Sequence, residues 1–130
     1  MQPAMSNATT SGTPAVHIHE ASASPAHLAE ICAGLEEEGI PYAIFKATGE
    51  AKPLAVEAAN RSKLRVGIGI TRDFAVMQIR NCPVDIPVAD TSKEGEFPIL
   101  HIKLSSLNAN FECRALGTNA ARAVKGSAFL

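Results

Sequence analysis

The residues Leu64 to Ile70 constrain the fold most, because they form a nearly continuous apolar run in the middle of the chain. A run of this length is typical of a central strand that is covered on both faces of a sheet. Gly67 and Gly69 lie on the same face of that strand, which predicts a helix packed closely over them. The alternative is a nucleotide-binding glycine loop, but that fingerprint opens a helix, whereas Thr71-Arg72-Asp73 leads into a second apolar strand.

The remaining elements are predicted from hydrophobic periodicity and from the Ser, Pro and Gly residues that mark their ends. Predicted strands cover residues 15–19, 41–46, 64–70, 74–79 and 99–104, and predicted helices cover residues 25–38, 53–62 and 119–125. The hydroxyl of Ser24 and the ring of Pro25 mark the start of the first helix, and Thr118 is predicted to cap the last one. Residues 81–97 are predicted to be a long surface loop and residues 105–116 coil with a short turn. The tight connection between the third and fourth strands predicts an antiparallel hairpin, so the order indicates an α/β domain with a mixed five-stranded sheet and helices on both faces.

The composition limits the class of protein. A chain of 130 residues forms one domain, and we expect residues 1–14, rich in Ser, Thr, Ala, Asn and Pro, to be a disordered leader before a single domain at 15–130. The net charge of −1 supplies no basic excess, which disfavours nucleic acid and anionic membranes as partners. Neither a spanning apolar run nor a signal peptide is evident, which predicts a cytoplasmic protein.

The candidate ligand and nucleophile residues form no catalytic constellation. Cys32, Cys82 and Cys113 contain no CxxC pair and are predicted to be reduced thiols, with Cys32 on the apolar face of the first helix. His17 and His19 alternate with apolar residues on the first strand, so they lie side by side as some metal sites require. Because no third ligand is evident nearby, a partly exposed strand face is favoured over a metal site. No nucleophile, base and oxyanion donor occur together, so the sequence predicts a binding protein without catalytic residues.

The most unusual local feature is the triplet Glu36-Glu37-Glu38 in the last turn of the first predicted helix. Carboxylates are unfavourable at this end of a helix, where unpaired carbonyl groups already carry partial negative charge. The apolar stripe of the helix is formed by Leu28, Ile31, Cys32 and Leu35, and Glu37 points almost directly away from it. Two interpretations stay open: a solvated acidic turn closed by Gly39, or a site for a cation or a basic partner.

Three blocks of the sequence resemble one known family. They are Glu36-Glu37-Glu38-Gly39-Ile40-Pro41, the segment from Lys63 to Gly69, and Gly117-Thr118-Asn119-Ala120-Ala121-Arg122-Ala123-Val124-Lys125-Gly126. In this order they resemble the small subunit of diol and glycerol dehydratase reactivating factors, over residues 16–129. Residues 81–97 depart from the family pattern as an insertion.

The resemblance implies a three-layer α/β/α domain similar to the anticodon-binding-domain type. It also implies a chaperone-like factor in which a large subunit binds and hydrolyses ATP. The small subunit exchanges with a subunit of an adenosylcobalamin-dependent diol or glycerol dehydratase, so that damaged cobalamin leaves. The middle glutamate of the triplet, here Glu37, would bind magnesium shared with the large subunit.

The resemblance leaves location and two other functions open. A bacterial microcompartment is an alternative to the free cytoplasm. One functional alternative is a dehydratase subunit-like, cobalamin-associated binding domain. The other is a small stand-alone metal-dependent enzyme that uses His17, His19 or Cys82.

Overall fold

The computed structural model describes residues 13–80 and 100–126. In chain order the elements are β1 (Val16–Ala21), α1 (Pro25–Glu37), β2 (Tyr42–Lys46), α2 (Ala51–Arg61), β3 (Val66–Thr71), β4 (Phe74–Ile79), β5 (Leu100–Lys103) and α3 (Ala109–Lys125). The strand order is β2-β1-β3-β4-β5; β1 is parallel to β2 and β3, and β4 is antiparallel to β3 and β5. The mixed five-stranded sheet is thereby confirmed. The predictions for the leader up to residue 12, for the loop at 81–97 and for Cys82 lie outside the described residues.

Helices cover both faces of the sheet because successive strand residues point to opposite sides. On one face, α1 and α3 pack together over the buried side chains of Ile18, Ile68 and Met77, which belong to the larger core cluster. On the other face α2 lies over β3, with contacts to β1 and β4. This arrangement gives the three layers that the sequence predicts.

Gly67 and Gly69 allow α2 to lie directly on the central strand. A Cβ atom added to Gly67 would stand 2.6 Å from the Cβ of Ala58, and one added to Gly69 would stand 2.9 Å from the Cβ of Leu54. Both distances are shorter than any ordinary van der Waals contact, so neither position accepts a side chain unless the helix moves. The predicted close approach of a helix is confirmed.

A second close approach joins α1 to α3 on the opposite face. A Cβ atom added to Gly34 would lie 2.7 Å from the backbone nitrogen of Thr118. One added to Gly117 would lie 2.9 Å from the carbonyl carbon of Ile31. The two glycines therefore form the crossing point of the helices. This contact determines which α1 side chains the α3 side chains reach.

The prediction for the last helix is wrong at its start. Helix α3 begins at Ala109, so it includes residues predicted to be coil, and Thr118 lies inside it instead of capping it. The Oγ1 of Thr118 donates to the carbonyl of Arg114, 3.1 Å away. The run Gly117-Thr118-Asn119 has low helix propensity, but its residues are buried against the core, and this packing outweighs the propensity.

Smaller boundaries also differ from the prediction by one or two residues; strand β1, for example, ends at Ala21 and not at residue 19. Helix α2 begins at Ala51 rather than Pro53, because a proline in the first turn loses no intrahelical hydrogen bond. Strand β3 begins only at Val66, since Arg65 has a left-handed φ of 69°. Helix α1 begins at Pro25 as predicted and ends at Glu37, one residue early, but the Ser24 hydroxyl makes no capping hydrogen bond.

Candidate functional site

The end of helix α1 presents the acidic triplet on a tightly closed turn. Gly39 adopts a left-handed φ of 73°, and the amide of Ile40 donates to the carbonyl of Leu35 at 3.1 Å. This pattern is a common helix C-terminus in which a glycine accepts the left-handed conformation. The turn leads directly into β2, so the three carboxylates lie beside the start of that strand.

Each carboxylate of the triplet has a partner within the chain. The hydroxyl of Tyr42 donates to Glu36 at 2.6 Å, Arg114 donates to Glu37 at 2.8 Å, and Lys125 donates to Glu38 at 2.9 Å. Lys125 also lowers the pKa of Glu38, through its hydrogen bond and its charge. Basic residues of α3 therefore offset the unfavourable charge at the end of α1.

Arg114 joins two carboxylates of α1 that lie seven residues apart. Its Nε donates to Oε1 of Glu30 at 2.9 Å and its Nη1 donates to Oε2 of Glu37 at 2.8 Å. The side chain of Glu37 is 58% exposed, which confirms its predicted outward position. Within the described residues its second oxygen accepts no hydrogen bond.

The donor chemistry of Glu37 fits a shared magnesium ion. Magnesium takes oxygen ligands and is usually held by one or two carboxylates, with waters and groups from a bound ligand completing the coordination. An exposed carboxylate with one unpartnered oxygen is such a donor. Metal binding by Glu37 stays a prediction.

Tyr42 positions Glu36, the first carboxylate of the triplet, through a hydrogen bond from its hydroxyl. Its ring is fully buried and its hydroxyl reaches Glu36, while burial and the negative charge of Glu36 raise its pKa. The sequence pattern predicts no role for Tyr42 or for Arg114. A signal for Tyr42 was available, since a tyrosine that starts a buried strand needs a partner for its hydroxyl.

The histidine pair lies on the opposite face of the sheet, beside α2. His17 is stacked on Phe45 with ring centroids 4.9 Å apart. His19 is 5% exposed, more buried than predicted, because Phe45 and α2 cover it. Burial, with His19 and Arg61 nearby, lowers the pKa of His17 from 6.5 to about 4, and burial also lowers the pKa of His19. The open depression beside the pair has a volume of about 220 Å³, below the range of most small-molecule pockets.

The described residues supply no metal-binding cluster and no reactive thiol. Across residues 13–80 and 100–126, no three His, Cys, Asp or Glu side chains group as a metal site would require. Cys32 and Cys113 are free and buried, as predicted for Cys32, and burial raises the pKa of each to about 11. A thiol with a raised pKa is a poor nucleophile at neutral pH.

Among the helices of the described ranges, none has the length and hydropathy needed to span a bilayer.

Comparison with known proteins identifies the family. The family model of the dehydratase medium subunit matches residues 13–130. The chain belongs to the dehydratase medium subunit family.

Curated relatives narrow the assignment within the family. The chain is 36% identical to the diol dehydratase-reactivating factor small subunit of Klebsiella michiganensis over 101 residues, which are 77% of this chain and 70% of that protein. It is 33% identical to the propanediol dehydratase-reactivating factor small subunit of Citrobacter freundii over 118 residues, 90% of each chain. These relatives confirm the resemblance to the small subunits of diol and glycerol dehydratase reactivating factors.

Solved structures support the same assignment and the fold. A structure of diol dehydratase-reactivating factor complexed with ADP and Mg²⁺ contains a chain that is 30% identical, with a TM-score of 0.75 over 92% of this chain and 99% of that one. A glycerol dehydratase reactivase chain is 25% identical, with the same TM-score over 91% and 97% of the two chains. The α/β fold with its mixed sheet is thereby confirmed, and the likeness to anticodon-binding domains stays a prediction.

Proposed function

We propose that this chain is the exchangeable small subunit of an ATP-dependent factor that releases damaged cobalamin from an adenosylcobalamin-dependent diol or glycerol dehydratase. The observation that carries the proposal is similarity along nearly the whole chain. The structural match, with a TM-score of 0.75, spans 99% of a chain from a reactivating factor that was solved with ADP and Mg²⁺. A match of this extent indicates that the two chains have the same domain architecture over the matched residues.

The described residues support a binding role in place of a catalytic one. The glycines of β3 pack under α2 and are not part of a phosphate-binding turn. Both described thiols are buried, and the two histidines have no third ligand among the described residues. We therefore propose that the large subunit binds and hydrolyses ATP.

Membership of the dehydratase medium subunit family supports the exchange step. The family model that matches this chain is named for a subunit of the dehydratase itself. Proteins of one family share a fold, so we expect this chain to take the position of such a subunit beside the dehydratase. Removal of that subunit would open the enzyme and let damaged cobalamin leave.

The exchange requires that the partners change affinity with the nucleotide. A partner that binds every state of the large subunit equally shifts no equilibrium. We therefore expect ATP to loosen this chain from the large subunit and ADP to favour their association. The small subunit then alternates between the large subunit and the dehydratase.

Glu37 is assigned to the contact with the large subunit. Its exposed carboxylate would hold magnesium together with oxygen ligands from that subunit, and the ion would supply the positive charge between two surfaces. We expect Glu37→Gln to weaken magnesium-dependent association with the large subunit and to leave the isolated domain folded. The matched control is Glu57→Gln, which alters an exposed, ion-paired glutamate on α2 and should leave association unchanged. Equal affinity of Glu37→Gln and wild type in magnesium would show that no magnesium ion bridges Glu37 to the large subunit.

The reactivation assay tests the function as a whole. Dehydratase inactivated with cyanocobalamin is incubated with this chain, with the large subunit, or with both, in ATP, magnesium and fresh coenzyme. Activity should return only with both subunits. Recovery without this chain would contradict the proposal, and co-purification with a dehydratase but never with an ATPase would favour the dehydratase-subunit alternative.

A further inference from the structure

We propose that Arg114 is an internal counter-ion of Glu37 in the free chain, and that it competes with magnesium for this carboxylate and weakens magnesium binding there. The inference rests on the proposed magnesium contact of Glu37. It adds that the affinity of this contact for the metal depends on a residue of α3 as well as on the ligand itself.

The geometry makes Arg114 a direct competitor for the carboxylate. Its Nη1 lies 2.8 Å from Oε2 of Glu37, at hydrogen-bonding distance for a charged pair. A metal ion bound to the same carboxylate would therefore lie close to the positively charged guanidinium. Two cations cannot both approach one exposed carboxylate without repulsion, so each weakens the binding of the other.

A second carboxylate allows Arg114 to leave Glu37 without losing all its contacts. Its Nε donates separately to Glu30 at 2.9 Å, and Glu30 is more buried than Glu37, with side chains 31% and 58% exposed. When magnesium takes Glu37, the guanidinium stays on Glu30. Gly117 and Gly34 hold α3 against α1 and keep Arg114 within reach of both.

The competition predicts the direction of an arginine substitution. Because exposed ion pairs contribute little, removing the guanidinium should lower the magnesium concentration for half-maximal association by only roughly two- to fivefold. Without competition, loss of a cation from the surface would leave that concentration unchanged. If Arg114 helped to hold the metal site, its loss would raise the concentration instead.

The test measures association of the two subunits in ADP as a function of magnesium chloride concentration. The variants are Arg114→Gln, Glu37→Gln and the double variant, with Arg61→Gln as the matched control, since Arg61 is an exposed arginine paired with a glutamate on the opposite face of the sheet. Arg114→Gln should lower the midpoint, Arg61→Gln should not, and the double variant should behave as Glu37→Gln alone. Affinity at saturating magnesium is measured separately to detect direct contact of Arg114 with the large subunit.

Arg114→Lys keeps the test valid if Arg114→Gln does not fold, which thermal unfolding of each variant shows. A lysine retains the charge but lacks the planar fork that bonds two carboxylates, so its midpoint should lie between those of wild type and Arg114→Gln. An unchanged or raised midpoint for the Arg114 variants, with Glu37→Gln still raising it, would overturn the inference and leave the magnesium contact standing. A magnesium dependence that Glu37→Gln does not alter would overturn the contact itself.

Discussion

Gly117→Ala is expected to destabilise the domain although the substitution improves helix propensity. Position 117 lies inside α3, where replacing glycine by alanine stabilises an open helix by about 1 kcal/mol. Here the new Cβ would lie 2.9 Å from the carbonyl carbon of Ile31 and closer still to its oxygen. These atoms belong to the backbone of α1 and cannot rotate away, so α1 has to shift.

The size of the effect follows from the two opposing contributions. Overpacking a well-packed contact costs about 1–3 kcal/mol, and contact with rigid backbone favours the upper end, about 3 kcal/mol. Subtracting about 1 kcal/mol of propensity leaves a net loss of roughly 2 kcal/mol, or roughly 8 °C in Tm for a domain of this size.

Urea denaturation and thermal unfolding measure the loss directly. The matched control is Ala115→Gly in the same helix, which should cost about 1 kcal/mol from propensity alone. If Gly117→Ala raised the stability by the amount that Ala115→Gly removes, the close crossing of α1 and α3 would be refuted.

Three further predictions concern titration and hydrogen bonding. The pKa of His17 is lowered from 6.5 to about 4 in the folded state, so its contribution to stability is present above pH 6.5 and is lost as the pH falls toward 4. Urea unfolding at pH 7 and pH 4.5 should show this loss, and His17→Gln should reduce it. The thiols of Cys32 and Cys113 have pKa values raised from 9.0 to about 11, so stability should fall as the pH rises from 9 to 11, and Cys113→Ala should show a shallower fall over that range. Tyr42→Phe removes the hydrogen bond to Glu36 and should cost about 1 kcal/mol by urea denaturation at pH 7; an unchanged midpoint would show that this bond adds nothing.

Local patterns predict the sheet and α2 well because their determinants lie close together in the chain. The apolar run of β3, its two glycines and the short turn at Thr71 indicate a central strand, a covering helix and a hairpin. In the structure the Oγ1 of Thr71 accepts hydrogen bonds at 3.2 Å from the amides of Asp73 and Phe74, which closes that hairpin. Each of these features depends on neighbours within a few residues.

Helix α3 and the contacts of the acidic triplet could not be predicted in the same way. The low helix propensity of residues 117–119 is outweighed by burial against α1, which no local window reveals. The hydrogen bonds of Arg114 to Glu30 and Glu37 span 84 and 77 positions of the sequence. The outward position of Glu37 followed from helical periodicity, whereas its partner depended on where the two helices cross.

Transfer of this chain between its two partners is the direct test of the exchange mechanism. The factor is assembled with this chain fluorescently labelled at the amino terminus, mixed with inactivated dehydratase, and separated by native gel in the presence of ATP or ADP. The exchange mechanism predicts that the label moves from the large subunit to the dehydratase in ATP and remains with the large subunit in ADP. A label that stays on the large subunit in both nucleotides while activity returns would contradict the exchange mechanism.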